Sequence, residues 1–554
     1  MSDTGFIVQK MIEQAVRQMG IESIQAESIE LLQPKQKEHG DLSTNIAMRL
    51  ASDLKKNPRA IATEIMGYLD TSNPSLAKVE IAGPGFINFT FSDQVLFKRL
   101  SEILKQKTEY GRTQWGRQQK TQIEFVSANP TGPLTIGHGR QAVLGDTVAR
   151  LLEATGHDIT REYYFNNAGR QMRVLANSVR FRYLELLGEP VDFPEDHYQG
   201  EYIRDIAQTI VDEKGDSLKA GEDLSYFQAK AETAIFEDIK GTAARLGITF
   251  DVFYNEKSLY DTGKIDAVLK LLREKNLAYD QDGAVWFKTT ELGMDQDRVI
   301  VKSTGEPTYR LPDIAYHRDK FDRGFDLVID IFGADHIATY PDVLAGMQAL
   351  GYDPSKVKVL IHQFVTLTEG KEKVKMSTRK ANFVTLDELM DEVGADVTRY
   401  FFLNRSMSSH LNFDLTLAKT ESDENPVYYV QYAHARICSI IQHAISQGID
   451  PEAEADLSLL TTSEEKDLIK KLSDYPQIVS DAAEKFEPHH IPTYLEELAT
   501  VYHKFQHAGK VDPAMRVVTE DHSLSRARLK LCKATQIVLS NGLTLLGISQ
   551  PEKM

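Results

Sequence analysis

The chain has 554 residues, 42% of them hydrophobic, enough for roughly three or four domains with large cores. Its 81 acidic residues outnumber its 64 basic ones, a net charge of −17, so nucleic-acid binding would need a local basic surface. The two cysteines lack the spacing of a metal site, so we expect no structural zinc or other structural metal. No apolar run is long enough to span a bilayer and the N-terminus has no signal-peptide pattern, so we expect a cytoplasmic protein.

The first 112 residues have the pattern of a small mixed α/β domain. Residues 1–20 predict an amphipathic helix, and the turn at residues 40–45 begins another. Residues 78–90 predict a strand pair around a Gly-Pro turn, followed by a helix over residues 94–106. The polar, irregular stretch that follows indicates a domain boundary near residue 112. By itself this domain indicates no function.

Residues 122–165 predict a strand, a glycine-rich turn, a helix and a second strand, which is the beginning of a parallel α/β sheet. Such a turn presents unpaired backbone N–H groups and the positive end of a helix to an anion. Gly137 and Gly139 would let a phosphate approach the backbone, and His138 could donate to it. The pattern is neither G-x-G-x-x-G nor a P-loop, and a tight turn with a surface histidine explains it equally well.

The middle of the chain adds further candidate elements. Residues 190–262 are acidic and predict a helical insertion, and the helix before it carries four arginines, either a solvated face or a nucleic-acid contact. Residues 278–287 predict a hairpin with an Asp-Gly turn. Two further sheet strands, at residues 298–302 and 327–332, each precede polar residues at an edge where such sheets bind ligands. Asp313 and Asp335 in these segments are alternatively helix N-caps.

A strand over residues 357–367 leads into a segment with five cations among residues 371–380. This segment is either a solvated charge run or a loop that closes over a polyphosphate and neutralises a leaving group. From about residue 410 the pattern is helical to the end. Aromatic residues mixed with cations in this part suit the stacking of unpaired bases, although aromatic stripes also pack in helical cores.

Several motifs together resemble one family. Residues 135–138, TIGH, are similar to the HIGH signature of class I aminoacyl-tRNA synthetases, and residues 375–379, KMSTR, to their KMSKS loop. The surrounding residues resemble the arginyl-tRNA synthetases of bacterial type over essentially the whole chain. This closer resemblance rests on residues 127–134 (SANPTGPL), 40–45 (GDLSTN), 83–86 (GPGF), 425–436 (NPVYYVQYAHAR) and 545–549 (LLGIS).

The resemblance implies an α/β fold with three domains. Residues 1–112 would be the additional N-terminal domain that contacts tRNA, and residues 113–409 a Rossmann-like parallel-sheet catalytic domain with the insertion at about 190–262. Residues 410–554 would be an all-α anticodon-binding domain. The implied reaction joins L-arginine to tRNA(Arg) through arginyl-adenylate, with ATP and Mg²⁺. Activation is expected to need bound tRNA, and the enzyme is expected to be a monomer.

The resemblance also implies residue roles. The residues matching the catalytic positions are His138, Thr135 and Lys375. Those matching ATP contacts are Pro130, Gly137, His138, Gly139, Asp335, His336, Lys375, Met376, Ser377 and Arg379. Those matching arginine contacts are Glu124, Tyr309 and Asp313 for the guanidinium, and Ser127 and Asn129 for the amine and carboxylate. Candidate tRNA contacts are Asn45, Tyr428, Tyr432, Arg436 and His503.

The chain departs from the signatures at two positions. Thr135 replaces the first histidine of HIGH, and its hydroxyl can donate to a phosphate but carries no charge. Thr378 replaces the second lysine of KMSKS, so its cationic role would pass to Arg379 or Lys380. Two other hypotheses are a non-catalytic RNA-binding paralogue, which predicts lost substrate carboxylates, and a small-substrate nucleotidylyltransferase, which leaves the helical C-terminal domain unexplained.

Overall fold

The computed structural model describes residues 3–32, 34, 36–167, 169–221, 223–334, 337, 339–370, 372–373 and 384–554. The first domain packs helices against a three-stranded antiparallel sheet. Its elements are α1 (Asp3–Gln18), β1 (Leu42–Thr44), α2 (Ile46–Leu54), α3 (Pro58–Tyr68), β2 (Leu76–Ala82) and β3 (Phe86–Phe91). These elements enclose a core of their own, which reaches from Val8 to Phe89.

The central sheet has five parallel strands. In spatial order they are β11 (Val357–His362), β10 (Leu327–Gly333), β4 (Lys120–Glu124), β5 (Asp158–Phe165) and β6 (Val252–Asn255). From β4 the chain proceeds outward to β5 and β6, whereas β10 and β11 lie on the other side. The strand order therefore reverses between β4 and β10, and their carboxyl ends border a crevice of the kind in which open α/β sheets bind ligands.

Ten helices belong to the described residues of this central part. They are α5 (Ile136–Ala154), α6 (Arg170–Leu186), α7 (Glu201–Lys214), α8 (Ser225–Arg245), α9 (Lys257–Asp261), α10 (Lys264–Glu274), α11 (Arg310–Asp322), α12 (Tyr340–Leu350), α13 (Leu386–Val393) and α14 (Ala395–Leu403). The buried helix α5 follows β4 directly and carries the predicted anion turn at its N-terminus.

Two smaller sheets flank the central one. One is antiparallel, with β7 (Ala278–Gln281), β8 (Ala284–Phe287) and β9 (Arg298–Val301), and the other has β12 (Val365–Glu369) between β13 (Glu372–Lys373) and β14 (Leu411–Asp414). The Asp282–Gly283 turn of the predicted hairpin has positive φ at both residues, 53° and 78°, as a type I′ turn requires.

The remaining elements are helices with one common core. They are α15 (Leu415–Ala418), α16 (Pro426–Ser446), α17 (Ser463–Ser473), α18 (Tyr475–Glu484), α19 (His490–Val511) and α20 (His522–Leu546). Helix α4 (Asp93–Gln106) packs against α17 and α20 and buries Leu96, Leu100 and Ile103 in this main core rather than in the N-terminal one. In the described part of the chain, no helix combines the length and apolarity needed to cross a bilayer.

The predicted fold class is confirmed: a parallel α/β sheet, a small N-terminal α/β domain and a helical C-terminal part. The range 190–262, predicted to be largely helical, contains α7, α8 and α9, and it also contains β6. Three local predictions were wrong. Strand β9 pairs antiparallel with β8 outside the central sheet. The strand predicted over residues 357–367 divides into β11 and β12, and β14 interrupts the helical pattern after residue 410.

Candidate active site

A cavity of about 1390 Å³ lies at the carboxyl ends of β4 and β10. Typical small-molecule pockets measure roughly 300–1,000 Å³, so this one has room for more than one ligand. Eight of the predicted site residues line it: Glu124, Ser127, Asn129, Thr135, Gly137, His138, Tyr309 and Asp313. The structure therefore brings together the residues predicted for arginine and part of those predicted for ATP.

The chain leaves β4 through a strained turn that sets the position of Glu124. Val126 and Ser127 have φ of 69° and 39°, and a β-branched residue rarely adopts the left-handed region. The Ser127 hydroxyl donates to Glu124 Oε1 at 2.9 Å and accepts the Tyr164 N–H at 3.1 Å. This turn ties the ends of β4 and β5 together and fixes one oxygen of the Glu124 carboxylate.

His138 lies in the first turn of α5, where its ring is held by the residue that begins the helix. The Thr135 N–H donates to His138 Nδ1 at 3.1 Å, and Thr135 Oγ1 lies 3.3 Å from the same nitrogen. Because Nδ1 accepts, the proton of the neutral imidazole resides on Nε2, which is then a donor. Thr135 thus orients a histidine of fixed tautomer on the wall of the cavity.

The two glycines beside His138 have different surroundings. Gly137 is exposed, and a Cβ there would have only Thr135 Oγ1 nearby, at 3.8 Å. Gly139 is buried, its N–H donates to the Thr135 carbonyl, and a Cβ there would lie 2.6 Å from Leu386 Cδ1. The missing side chain of Gly139 thus makes room for α13, and its predicted contact with ATP stays a prediction.

Two predicted arginine contacts lie on the helix opposite β4. Asp313 lies in the first turn of α11, and Tyr309, 80% exposed, lies on the rim of the cavity just before that helix. Burial raises the pKa of Asp313 to about 7, with repulsion from Glu124 and Glu256 adding to the rise, while His317 and Lys320 oppose it. A cation placed between these carboxylates would favour the ionised form.

A buried charge network below the cavity escaped the sequence analysis. Lys320 Nζ, fully buried, donates to Glu124 Oε2 at 2.7 Å and to Asp330 Oδ1 at 2.6 Å, and His317 Nε2 lies 2.8 Å from Asp330 Oδ2. Burial disfavours the Asp330 carboxylate, but Lys320 and His317 outweigh it and hold the pKa below the usual range. Asp330 within the apolar run of β10 was a usable signal, since a charge in a buried strand needs a partner.

Glu256 is a further cavity residue that the sequence motifs did not indicate. It follows β6, and burial raises the pKa of its carboxyl group. Nothing in the pattern of residues 252–256 distinguishes this glutamate from a surface one. Its position depends on the placement of β6 beside β5, which the predicted helical insertion had concealed.

The predicted tRNA contacts fall in two places outside the cavity. On α16 and α19, Tyr428 and Tyr432 stack with ring centroids 6.3 Å apart, and Tyr432 stacks on His503 at 5.9 Å. Tyr432 is 41% exposed, and Arg436 is exposed one turn further along α16. Other aromatic residues of α19 are core residues, as the alternative interpretation held: Tyr494, Tyr502 and Phe505.

The remaining predicted site residues lie elsewhere. Asn45 begins α2 in the N-terminal domain, where its Nδ2 donates to Glu30 Oε2 at 3.0 Å. Pro130 is buried and does not line the cavity. The other predicted ATP contacts lie outside the described residues: Asp335, His336, Lys375, Met376, Ser377 and Arg379.

Three family models match successive parts of the chain. The arginyl tRNA synthetase N terminal domain matches residues 7–91, and the catalytic domain of class I (R) tRNA synthetases matches residues 99–408. The DALR anticodon binding domain matches residues 430–554. The chain belongs to the arginyl-tRNA synthetase family. The family predicted from the sequence motifs is thereby confirmed.

Curated relatives support this family membership over nearly the whole chain, and a solved structure shares its fold. The chain is 56% identical over 524 residues to an arginine–tRNA ligase of Desulfotalea psychrophila, which covers 94% of each chain. It is 53% identical over 544 residues to that of Salinibacter ruber, covering 95% of this chain and 96% of the relative. Its fold is similar to the arginyl-tRNA synthetase structure of Thermus thermophilus, with a TM-score of 0.76, 22% identity and 99% coverage of both chains.

Proposed function

We propose that this chain is an arginine–tRNA ligase that joins L-arginine to tRNA(Arg). It consumes ATP, forms arginyl-adenylate and releases pyrophosphate, then transfers arginine to the tRNA and releases AMP. The observation that carries the proposal is the shared cavity, in which two carboxylates, Glu124 and Asp313, lie with the oriented imidazole of His138. The carboxylates suit a guanidinium, and the imidazole suits a phosphate.

In this proposal the guanidinium binds between Glu124, Asp313 and the Tyr309 hydroxyl. Ser127 and Asn129 face the amine and carboxylate of arginine. Lys320 already pairs with Glu124 and Asp330, so part of the Glu124 charge is compensated before arginine enters. Asp313 makes no such hydrogen bond to a cation among the described contacts, so its carboxyl group is available to the guanidinium.

The ATP phosphates lie at the start of α5. A carboxylate oxygen of arginine attacks the α-phosphorus, a new P–O bond forms, and the bond to the bridging oxygen breaks, so pyrophosphate leaves with the electron pair. His138 Nε2–H and the exposed backbone at Gly137 stabilise the charge that develops on the phosphate oxygens. Lys375, with Met376, Ser377 and Arg379, would neutralise the departing pyrophosphate, and Asp335 and His336 would contact the nucleoside.

Magnesium would enter with the triphosphate and not as a resident ion. In the described ranges, the only three His, Cys, Asp or Glu side chains close enough to share an ion are Glu487, His489 and His490, where α19 begins. They lie outside the cavity. The described cavity residues do not fit a resident magnesium site.

The outer domains would bind tRNA. We place the N-terminal domain, residues 1–112 with Asn45, at the corner of the tRNA, residues 113–409 at the reaction and the helical domain from residue 410 at the anticodon. There the surface of Tyr428, Tyr432, Arg436 and His503 offers aromatic faces beside a cation for unpaired bases. Activation would require bound tRNA, and the enzyme would act as a cytoplasmic monomer.

Arginine-dependent exchange of pyrophosphate into ATP tests this function, measured with and without tRNA(Arg). Exchange with tRNA is expected, and its absence in both conditions would refute the proposal. Exchange without tRNA would contradict only the tRNA requirement. Asp313→Ala should raise the KM for arginine about 100-fold, since it removes a charge-assisted contact. Asp322→Asn on the exposed face of α11 is the matched control and should leave that KM unchanged.

A further inference from the structure

Arg140 is a fully buried cation on the helix that carries His138. Its guanidinium donates to three backbone carbonyls: Nη1 to Gln363 O at 2.6 Å and Ser409 O at 3.0 Å, and Nη2 to Ser406 O at 2.9 Å. Burial lowers its pKa to about 10, which keeps it charged at neutral pH. Among the described ion pairs none involves Arg140, so carbonyl dipoles alone hold this charge.

The three carbonyls belong to the two chain segments that enter the β12–β14 pair. Gln363 lies between β11 and β12, and residues 406 and 409 precede β14. The same segments bond each other, with Gln363 N–H to Met407 O at 2.9 Å and Leu411 N–H to Phe364 O at 3.1 Å. Arg140 therefore fastens the beginning of both strands to α5.

The chain that leaves this strand pair returns to the start of the same helix. Strand β12 pairs with β13, which ends at Lys373, and the described chain resumes at residue 384. There the Leu386 N–H donates to Leu134 O at 2.8 Å, and Thr135 forms an isolated antiparallel β-bridge with Thr385. The Leu386 side chain packs into the space left by the missing side chain of Gly139. The described chain after the segment that resembles KMSKS is thus anchored where α5 begins, and β12, which leads toward that segment, is held near its start by Arg140.

His138 and Arg140 lie on different sides of α5. Two residues correspond to about 200° around a helix, so one helix presents His138 to the cavity and Arg140 to the β12–β14 pair. A planar guanidinium can reach three carbonyls from one point, whereas an ammonium on a flexible stem cannot hold the same fork geometry. The three hydrogen bonds of Arg140 therefore fix the position of the β12–β14 pair relative to α5 and to His138.

We propose that Arg140 is a positioning residue for adenylate formation, which holds the β12–β14 pair in register with the histidine helix. The proposal rests on the proposed function for its catalytic consequence. The proposed arginine contacts lie at the end of β4, in the turn after it and at the start of α11, and the described hydrogen bonds of Arg140 go to none of these segments. Its loss should therefore disturb the chemical step on ATP and leave arginine binding intact.

The test compares Arg140→Lys and Arg140→Met with the matched control Arg528→Lys. Arg528 is also buried and donates to two carbonyls, Ala514 O and Arg516 O, but lies within the helical domain. Pyrophosphate exchange in the presence of tRNA gives kcat and the KM for arginine. Hydrogen–deuterium exchange of Val365–Glu369 and Leu411–Asp414 reports the hold on the strand pair independently of activity, and thermal unfolding compares stability.

Arg140→Lys should lower kcat about 10- to 100-fold, the scale that a misplacement of about 1 Å produces, with a nearly unchanged KM for arginine. Both strands should lose protection, whereas Arg528→Lys should change neither kcat nor their protection. Wild-type kcat and protection in Arg140→Lys would overturn the proposal, as would an equal loss of arginine affinity. If Arg140→Met does not fold, Arg140→Lys decides. If the wild type shows no pyrophosphate exchange, the proposed function is refuted. The hydrogen–deuterium exchange of the two strands still tests whether Arg140 fixes the strand pair to α5.

Discussion

Lys320 Nζ donates to Glu124 Oε2 at 2.7 Å where both side chains are buried, so a cation lies directly below the cavity that Glu124 lines. The same nitrogen bonds Asp330 in the neighbouring strand, and one lysine thereby joins α11 to β4 and β10. Glu124, a carboxylate proposed to bind the guanidinium, is therefore held in place before any ligand enters the cavity.

Lys320→Met should lower the free energy of unfolding by about 3–5 kcal/mol, because it leaves two carboxylates buried without their cation. Urea unfolding measures the change. Lys470→Met is the matched control: Lys470 pairs with Asp41 at 2.6 Å on a more exposed surface, and such pairs contribute little. Equal effects of the two substitutions would contradict the role given to the buried network.

Arginine binding should strengthen as pH rises toward 7. Asp313 must be ionised to hold a guanidinium, and burial with the nearby Glu124 and Glu256 raises its pKa to about 7, against His317 and Lys320. Below that pH the KM for arginine should increase about tenfold per unit. Asp313→Asn should abolish this pH dependence. A wild-type KM for arginine that stays constant between roughly pH 5.5 and pH 7 would refute the prediction.

The raised pKa of Asp313 has the opposite effect on the stability of the protein without arginine. A carboxyl group with a raised folded-state pKa binds its proton more tightly when folded than when unfolded. Its contribution to stability is therefore present at acid pH and is lost as pH rises through about 7. Arginine should remove this loss, so thermal unfolding with and without arginine should diverge most above neutral pH.

His138→Ala should lower kcat for pyrophosphate exchange about 10²- to 10³-fold, the usual loss for one preorganised donor. The KM for arginine should change little, since the imidazole faces the phosphates. Thr135→Val should cost less than about tenfold, because it removes one hydroxyl contact of about 1 kcal/mol while the backbone N–H still holds Nδ1. A Thr135→Val loss as large as that of His138→Ala would show that the hydroxyl itself acts on ATP.

Tyr432→Ala should raise the KM for tRNA about 5- to 100-fold, since base–aromatic stacking contributes about 1–3 kcal/mol. Tyr432→Phe keeps the ring and should change that KM less than about twofold. Exchange kinetics at saturating tRNA should be the same in both variants. Equal losses in the two variants would assign the contact to the hydroxyl rather than to stacking.

The sequence motifs located much of the cavity because its residues follow local patterns. Glu124 ends strand β4, His138 lies in the first turn of α5, and these two elements follow each other in the chain. Strand β9 was misplaced because strand propensity does not identify the partner strand. Lys320 was overlooked because its role exists only where α11 meets Asp330. Gly137 and Gly139 look alike in sequence, and only the packing of α13 separates them.

The left-handed turn at Val126 and Ser127 has a consequence for how this enzyme can be stabilised. Residues held in such conformations cost of order 1–3 kcal/mol each, which the surrounding fold must offset. Glycine at either position would remove the backbone strain, but it would also make the turn that positions Glu124 more flexible. Selection for heat resistance should therefore favour glycine in this turn, and selection for turnover should favour the present residues. Thermostable variants that keep their activity should have substitutions elsewhere.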